Sequence, residues 1–433
     1  MADGSRAQQK LWIPLTASAV GTFVEWFDFI LYGAASALIF NKLFFPSFDP
    51  VTGTMAAFSA YAVGFFFRPL GGVVFGHFGD KYGRKPVLIT TLCMMGLSTT
   101  CIGLLPTYHQ IGIWAPVLLV LLRIIQGLGA GAEYGGAVLV AAEAVKGRHG
   151  FYASFPAAAV DLSLVFATGA IALFSLMPGE HYLAWGWRIP FVGSLLVLAF
   201  GLFVRRNLRE TDDYRHGKDK QARKMPLRTL LRDHKAELLV AMGVNLTPSL
   251  SYIFQIFALS YATKQLHMPQ DTILIGVMLS GICGSIATVA FGALSDVVGR
   301  RPVIFGGAIF VCLFVFPFFK MLGTGVPWIV WLAVVLAHLG ERAVFGVQPA
   351  YYRELFPVEV RYSGISVARE VTGSFIAGPL PLVATALITT TSGQTWPLSL
   401  LVACLAGITA ISISFAGRLG RPVVAGSAET AHG

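Results

Sequence analysis

The chain is a succession of apolar runs separated by short polar turns, and these runs limit what it can fold into. They lie at about 15–40, 54–77, 87–105, 113–141, 151–176, 187–206, 237–263, 272–295, 303–321, 327–351, 364–390 and 395–417. A helix that crosses a bilayer needs roughly 20 mostly apolar residues. The bilayer core holds no water, so every backbone N–H and C=O must be satisfied within the span, which predicts helices. The alternating segments of roughly ten residues that a membrane barrel needs are absent. Only 12% of the residues are charged, against about 25% in a soluble domain, so the chain cannot cover itself with polar surface. The expected fold class is an all-α membrane protein with twelve transmembrane helices.

One phrase occurs twice. FGHFGDKYGRKPV at Phe75–Val87 and FGALSDVVGRRPV at Phe291–Val303 agree at seven of thirteen positions, with a constant offset of 216 residues in a chain of 433. Six apolar runs precede the one long polar stretch, Arg205–Glu237, and six follow it. Together these predict two six-helix bundles from a parallel repeat, related by pseudo-twofold symmetry. Their bounds are 1–204 and 237–433, with a polar linker over 205–236 that carries a surface helix near Met225–His234.

Orientation follows from the basic residues. Twelve spans put both termini on one side. The termini and the loops on that side, with the linker, hold 24 Lys and Arg, while the opposite loops hold only Lys42, Lys264 and Lys320. Both termini are therefore expected in the cytoplasm. The net charge of +10 is explained by this topology and does not point to nucleic acid. Cys93, Cys101, Cys283, Cys312 and Cys404 all fall inside apolar runs without metal-ligand spacing, so no metal, disulfide or cofactor is expected. No nucleophile–base set, HExxH or phosphate loop occurs, so the chain is not read as an enzyme.

A charge buried in lipid needs a partner or a water-filled cavity, which makes the charges inside the spans the main site candidates. On the first helix Glu25, Asp28 and Tyr32 stand at i, i+3 and i+7 and share a face. That stripe is poor lipid-facing surface and is expected to line a central cavity. A carboxylate whose surroundings alternate between dry and wet can take up and release a proton, a role expected of Asp28. Glu25 has two open readings, proton coupling or a structural pair with Arg123 or Arg68. On the fourth helix Arg123, Gln126 and Glu133 fall within about 80° at 100° per residue. The planar fork of Arg123 suits an anionic substrate or a coupling acid, and an ion pair with Glu25 or Asp28 is the bland alternative. Glu133 reads equally as a proton site or a packed polar anchor. Arg68 reads as gate or structure. Tyr252, Gln255, Asn245 and Gln348 are candidate cavity liners.

Six phrases carry a family resemblance: GTFVEWFDFILYG at Gly21–Gly33, FFFRPLGGVVFGHFGDKYGRK at Phe65–Lys85, RIIQGLGAGAEYGGA at Arg123–Ala137, WGWRIPF at Trp185–Phe191, GALSDVVGRRPV at Gly292–Val303 and ELFPVEVRYSGIS at Glu354–Ser366. The chain resembles the major facilitator superfamily. Within it, the resemblance is to the metabolite:proton symporters, relatives of shikimate, 2-oxoglutarate, citrate and proline/betaine carriers. The resemblance implies two bundles that rock about a central site, proton-driven uptake, and residence in a bacterial inner membrane. It also implies that the repeated loops are a latch favouring the outward-open state. Gly83 and Gly299 would make the turn, Pro86 and Pro302 would open the next helix, and Asp80 and Asp296 would accept from an arginine or a helix N-terminus. Gly76, Arg84, Gly292 and Arg300 complete the two copies.

Some charges depart from that pattern. Asp161 stands where the family carries Pro or another uncharged residue, Glu341–Arg342 interrupts the tenth run and Arg369–Glu370 the eleventh. Adjacent residues point about 100° apart, so pairing is expected across helices, Arg342 with Glu370 or Glu341 with Arg369, and His338 is one turn from Arg342. The expected function is proton-coupled symport of a small organic acid anion by a monomer. Glu25, Asp28, Glu133 and Asp161 are the proton-coupling candidates. Tyr32, Arg123, Gln126, Tyr252, Gln255, Glu341, Arg342 and Arg369 are the substrate-binding candidates. The alternatives are uptake of a zwitterionic osmolyte such as betaine or proline and, more remotely, a non-transporting nutrient sensor.

Overall fold

The computed structural model describes residues 2–82, 84–131, 147–207 and 226–416, and every regular element among them is helical. Twelve long helices follow in order: α1 (Ala2–Leu38), α2 (Pro50–Phe78), α3 (Pro86–Leu104), α4 (Trp114–Ala130), α5 (His149–Ser175), α6 (Arg188–Asn207), α7 (Lys235–Lys264), α8 (Gln270–Val298), α9 (Arg300–Gly323), α10 (Pro327–Leu355), α11 (Val358–Thr390) and α12 (Trp396–Ala416). Among the described residues nine are long and apolar enough individually to cross a membrane, and a bent segment, Gly179–Gly186, joined to α6 makes ten. The apolar character of α1 is interrupted by Glu25 and Asp28, and the run predicted over 113–141 continues past Gly131, outside the described residues. The linker carries the expected short helix, Pro226–Asp233.

Capping shows why α2 starts where it does. Asp49 accepts from the backbone N–H of Val51 and Thr52, at 3.0 and 3.1 Å, and Pro50 occupies the first helical turn. Hydrogen bonds from Thr52 hold the Asp49 carboxyl below its ordinary range.

Within the first bundle α1 packs on α5, α3 on α4 and α6, and α2 on α4; within the second, α8 packs on α10, and α9 on α10 and α12. Glycine permits the close crossings, since a Cβ on Gly127 of α4 would stand 2.0 Å from the Gly64 carbonyl oxygen of α2. The bundles meet along two seams, α5 against α8 and α2 against α11. Large apolar side chains such as Leu196, Ile286 and Leu313 point outward, as a lipid-facing surface requires.

Candidate functional site

A central cavity lies where the seams converge. Its wall is formed by Trp26 and Ile30 of α1, Phe65 and Arg68 of α2, Asp161 of α5, Asn245, Tyr252 and Gln255 of α7, Arg342 and Phe345 of α10, and Arg369 and Glu370 of α11. Its volume is about 60 Å³. A water needs roughly 10–15 Å³ by this measure, so the cavity has room for only a few waters. Beside it α7 widens into a π-helical turn at Tyr252–Phe257, and α11 does so at Gly373–Ala377. Such bulges accompany functional sites.

Two ionic groups cross the seams. Arg68 leaves α2 just after the break at Phe67. Its Nη2 lies 2.8 Å from Oε1 of Glu25 and its Nε lies 3.0 Å from Oε2 of Glu370. The guanidinium also stands over the rings of Phe29 and Phe65, at 5.1 and 5.7 Å. The second group centres on His338 of α10. Its Nε2 is 2.8 Å from Oδ1 of Asp161 on α5, and its Nδ1 is 2.6 Å from Oε1 of Glu341. Arg342 lies 3.3 Å from Asp161 and 3.0 Å from Glu341, and the Thr288 hydroxyl donates to Asp161 at 3.0 Å. All members of both groups are buried.

A third polar group is enclosed within the first bundle. Arg123 lies over the Tyr32 ring at 4.1 Å, donates to the Tyr61 carbonyl at 2.9 Å and bonds to Gln126, whose amide reaches Thr99. The Asp28 carboxylate oxygens are buried without a hydrogen-bond partner among the described residues, with Thr99 and Arg123 as polar neighbours.

At the end of the molecule that carries the repeated loops, Asp296 reaches across the α5–α8 seam. Its two oxygens accept from the backbone N–H of Gly150 and Phe151, both at 2.9 Å, capping α5 with a carboxylate from the other bundle. Arg300 holds Asp296 at 2.7 Å and Glu354 at 3.1 Å. Gly299 makes the turn with a φ of 92°, where a side chain would be strained. A Cβ on Gly150 would stand 2.3 Å from the Gly292 carbonyl oxygen. At the opposite end Lys264 donates to the Thr54 hydroxyl across the bundles, at 2.7 Å.

Several expectations need correction. Asp28 and Tyr32, with Arg123 and Gln126, do not line the central cavity; α1 presents Trp26 and Ile30 there instead. Periodicity identified a polar stripe, but an inward face can look into its own bundle as well as between bundles. Among the described residues Arg123 is hydrogen-bonded to no carboxylate; aromatic faces, a carbonyl and Gln126 surround it. The pairings Arg342–Glu370 and Glu341–Arg369 do not form. Glu370 goes to Arg68, while Glu341 and Arg342 join the same cluster, because long side chains from adjacent positions converge on Asp161 and His338. Of the candidate liners, Asn245, Tyr252 and Gln255 reach the wall and Gln348 does not; of the other site candidates, Asp161, Arg342 and Arg369 reach it, and Glu341 stands behind it. Glu133 and Gly83 lie outside the described residues, as do the side chains of Asp80 and Arg84; Gly76 is exposed. Sequence reasoning did not anticipate Glu370 as the partner of Arg68 or His338 as a hub. His338 was placed one turn from Arg342, and Glu341 stands at i+3 from it, but nothing in the sequence pointed to Asp161 of α5 as its other partner.

Comparison with known proteins places this geometry. A model of the "Sugar (and other) transporter" family matches residues 15–226 and again residues 209–416. A shikimate transporter of Escherichia coli is 40% identical over 399 residues, covering 90% of this chain and 91% of that protein. A proline/betaine transporter of Salmonella typhimurium is 33% identical, covering 93% and 83%. The partially occluded inward-open structure of the E. coli xylose transporter superposes with a TM-score of 0.72 at 16% identity, covering 95% of this chain and 98% of that one, a likeness of fold.

Proposed function

The chain belongs to the sugar (and other) transporter family of the major facilitator superfamily, and from that premise we propose that it is a proton-coupled symporter of a small organic acid anion. The observation that carries this reading is the cavity wall, where three arginines, Arg68, Arg342 and Arg369, face two acids, Asp161 and Glu370. Guanidinium forks bind carboxylates bidentately. An entering anion would compete with Glu370 and Asp161 for them, so binding and release of the bundle contacts are linked.

In this reading the buried Asp28 exchanges a proton, and Arg123 answers the change in its charge from the stack on Tyr32. Asp296 with Arg300 holds the repeated-loop end shut, and that end faces the cytoplasm of a bacterial inner membrane with both termini. A thermal-shift screen of the purified protein against shikimate, citrate, 2-oxoglutarate, glycine betaine, proline and xylose tests the substrate class, since a ligand that prefers the folded state stabilises it. Selective stabilisation by an organic acid supports the reading, and stabilisation by xylose alone overturns it.

A second reading has its own support. Trp26, Phe65, Tyr252 and Phe345 line the same cavity, and aromatic faces bind quaternary ammonium groups. A zwitterion such as betaine would use both signs of charge on the wall. Stabilisation by glycine betaine in the same screen would select it.

A further inference from the structure

We propose that Asp161, His338 and Glu341 form a proton-binding site that tethers the two bundles, with His338 as carrier, and that loss of its proton weakens the hold of α10 on α5. The proposal rests on the reading of the chain as proton-coupled and deepens it by naming a site apart from Asp28.

The geometry fixes the number of protons. Each ring nitrogen of His338 lies within 2.8 Å of a carboxylate oxygen, Nε2 at Asp161 and Nδ1 at Glu341. Each contact needs a hydrogen, and a neutral imidazole supplies one. The other sits on the ring or on one of the acids. Either way the cluster, with Arg342, sums to zero charge. Without that proton a ring lone pair faces a carboxylate oxygen, and the cluster carries a net negative charge in a buried place, which is unfavourable.

The surroundings decide which contact yields. Glu341 is three residues from His338 on the same helix and moves with it, whereas Asp161 belongs to the other bundle. From α7, Gln255 places its amide nitrogen 2.7 Å from Nδ1, where it donates when that nitrogen lacks hydrogen; turned over about its last bond, the amide presents its oxygen when Nδ1 carries hydrogen. From α8, Thr288 satisfies the other oxygen of Asp161, and Gly284 makes room for the ring, since a Cβ there would stand 2.5 Å from Nε2. Toward α9 this part of α10 meets Phe310 and Val311, which are apolar. Arg369 and Glu370 of α11, Arg68 of α2 and Tyr252 of α7 share the cavity wall with Asp161 and Arg342. Water entering the cavity therefore reaches the site at Asp161, and the contact that parts is Asp161 to His338, which leaves Asp161 held by Arg342 and Thr288 alone.

Spin labels at Ser47 and Asp271, both exposed at the end opposite the repeated loops, report bundle separation in nanodiscs without added solute. The expected result is a short distance at pH 5.5 that shifts to a longer population at pH 8.5. The shift is lost in His338→Gln and in Asp161→Asn, and kept in His234→Gln. In the wild type, ¹⁵N-histidine spectra should show one ring with hydrogen on both nitrogens, or one ring hydrogen-bonded to a carboxylic acid, at the lower pH only. A wild type without a pH-dependent shift overturns the proposal, as does a full shift in His338→Gln. If His338→Gln does not fold, the wild-type spectra and Asp161→Asn decide. Because no solute is present, failure of organic acids in the thermal screen leaves this test intact, and failure here leaves the anion reading intact.

Discussion

Arg68 and Glu370 are 302 positions apart in the chain, yet their Nε and Oε2 atoms lie 3.0 Å apart across the α2–α11 seam. Each bundle thus holds one partner of a buried charge pair, and separating the bundles must break it. A hydrogen bond to a charged group contributes about 1.5–3 kcal/mol, which is at least tenfold in a closed-to-open ratio. Glu370→Gln is expected to raise the alkylation rate of a cysteine placed at Ile30, on the cavity wall, by about that factor. An unchanged rate would show that the pair does not hold the closed form.

The Asp296 clasp predicts a conformational effect without a binding effect. It caps α5 and touches no cavity residue. Asp296→Asn should slow transport while leaving equilibrium ligand affinity within about twofold. Loss of binding with intact exchange would contradict it.

Gly150 tests the same seam by volume. The atom a Cβ would strike is a backbone oxygen 2.3 Å away, which no rotamer change can move. Gly150→Ala should hold the repeated-loop end apart and expose a cysteine at Ser295, buried in the closed form, to a thiol reagent. A cysteine that stays protected would mean that the helices slide to accommodate the methyl.

Much of the fold was legible in the sequence, because span length and repeat are one-dimensional signals. The site was legible in composition and not in pairing. Arg68, Glu25, Asp161, Glu341 and Arg342 all stood out as charges in apolar runs. Which of them meet depends on helix rotation about axes that no local pattern records. The stripe of Glu25, Asp28 and Tyr32 shows the limit, since Glu25 joins the Arg68 group at the seam while Asp28 and Tyr32 stay inside their bundle.

Asp28 and Arg123 give a separable pair of outcomes. If Asp28 carries the coupled proton, as proposed, Asp28→Asn should abolish pH-driven accumulation while preserving counterflow. Arg123→Lys should impair both, since an ammonium lacks the planar face that stacks on Tyr32 at 4.1 Å. Full accumulation by Asp28→Asn would remove it from the coupling role.

The central claim, that an organic anion and a proton move together through this cavity, is tested most directly by proton flux. Proteoliposomes loaded with a pH-sensitive dye receive shikimate, citrate, 2-oxoglutarate, glycine betaine or xylose outside, at equal pH on both sides. The account predicts internal acidification with an organic acid, absent from empty liposomes and from Asp28→Asn, and none with xylose. Acidification by xylose or glycine betaine alone, or uptake of an organic acid with no proton movement, would contradict it.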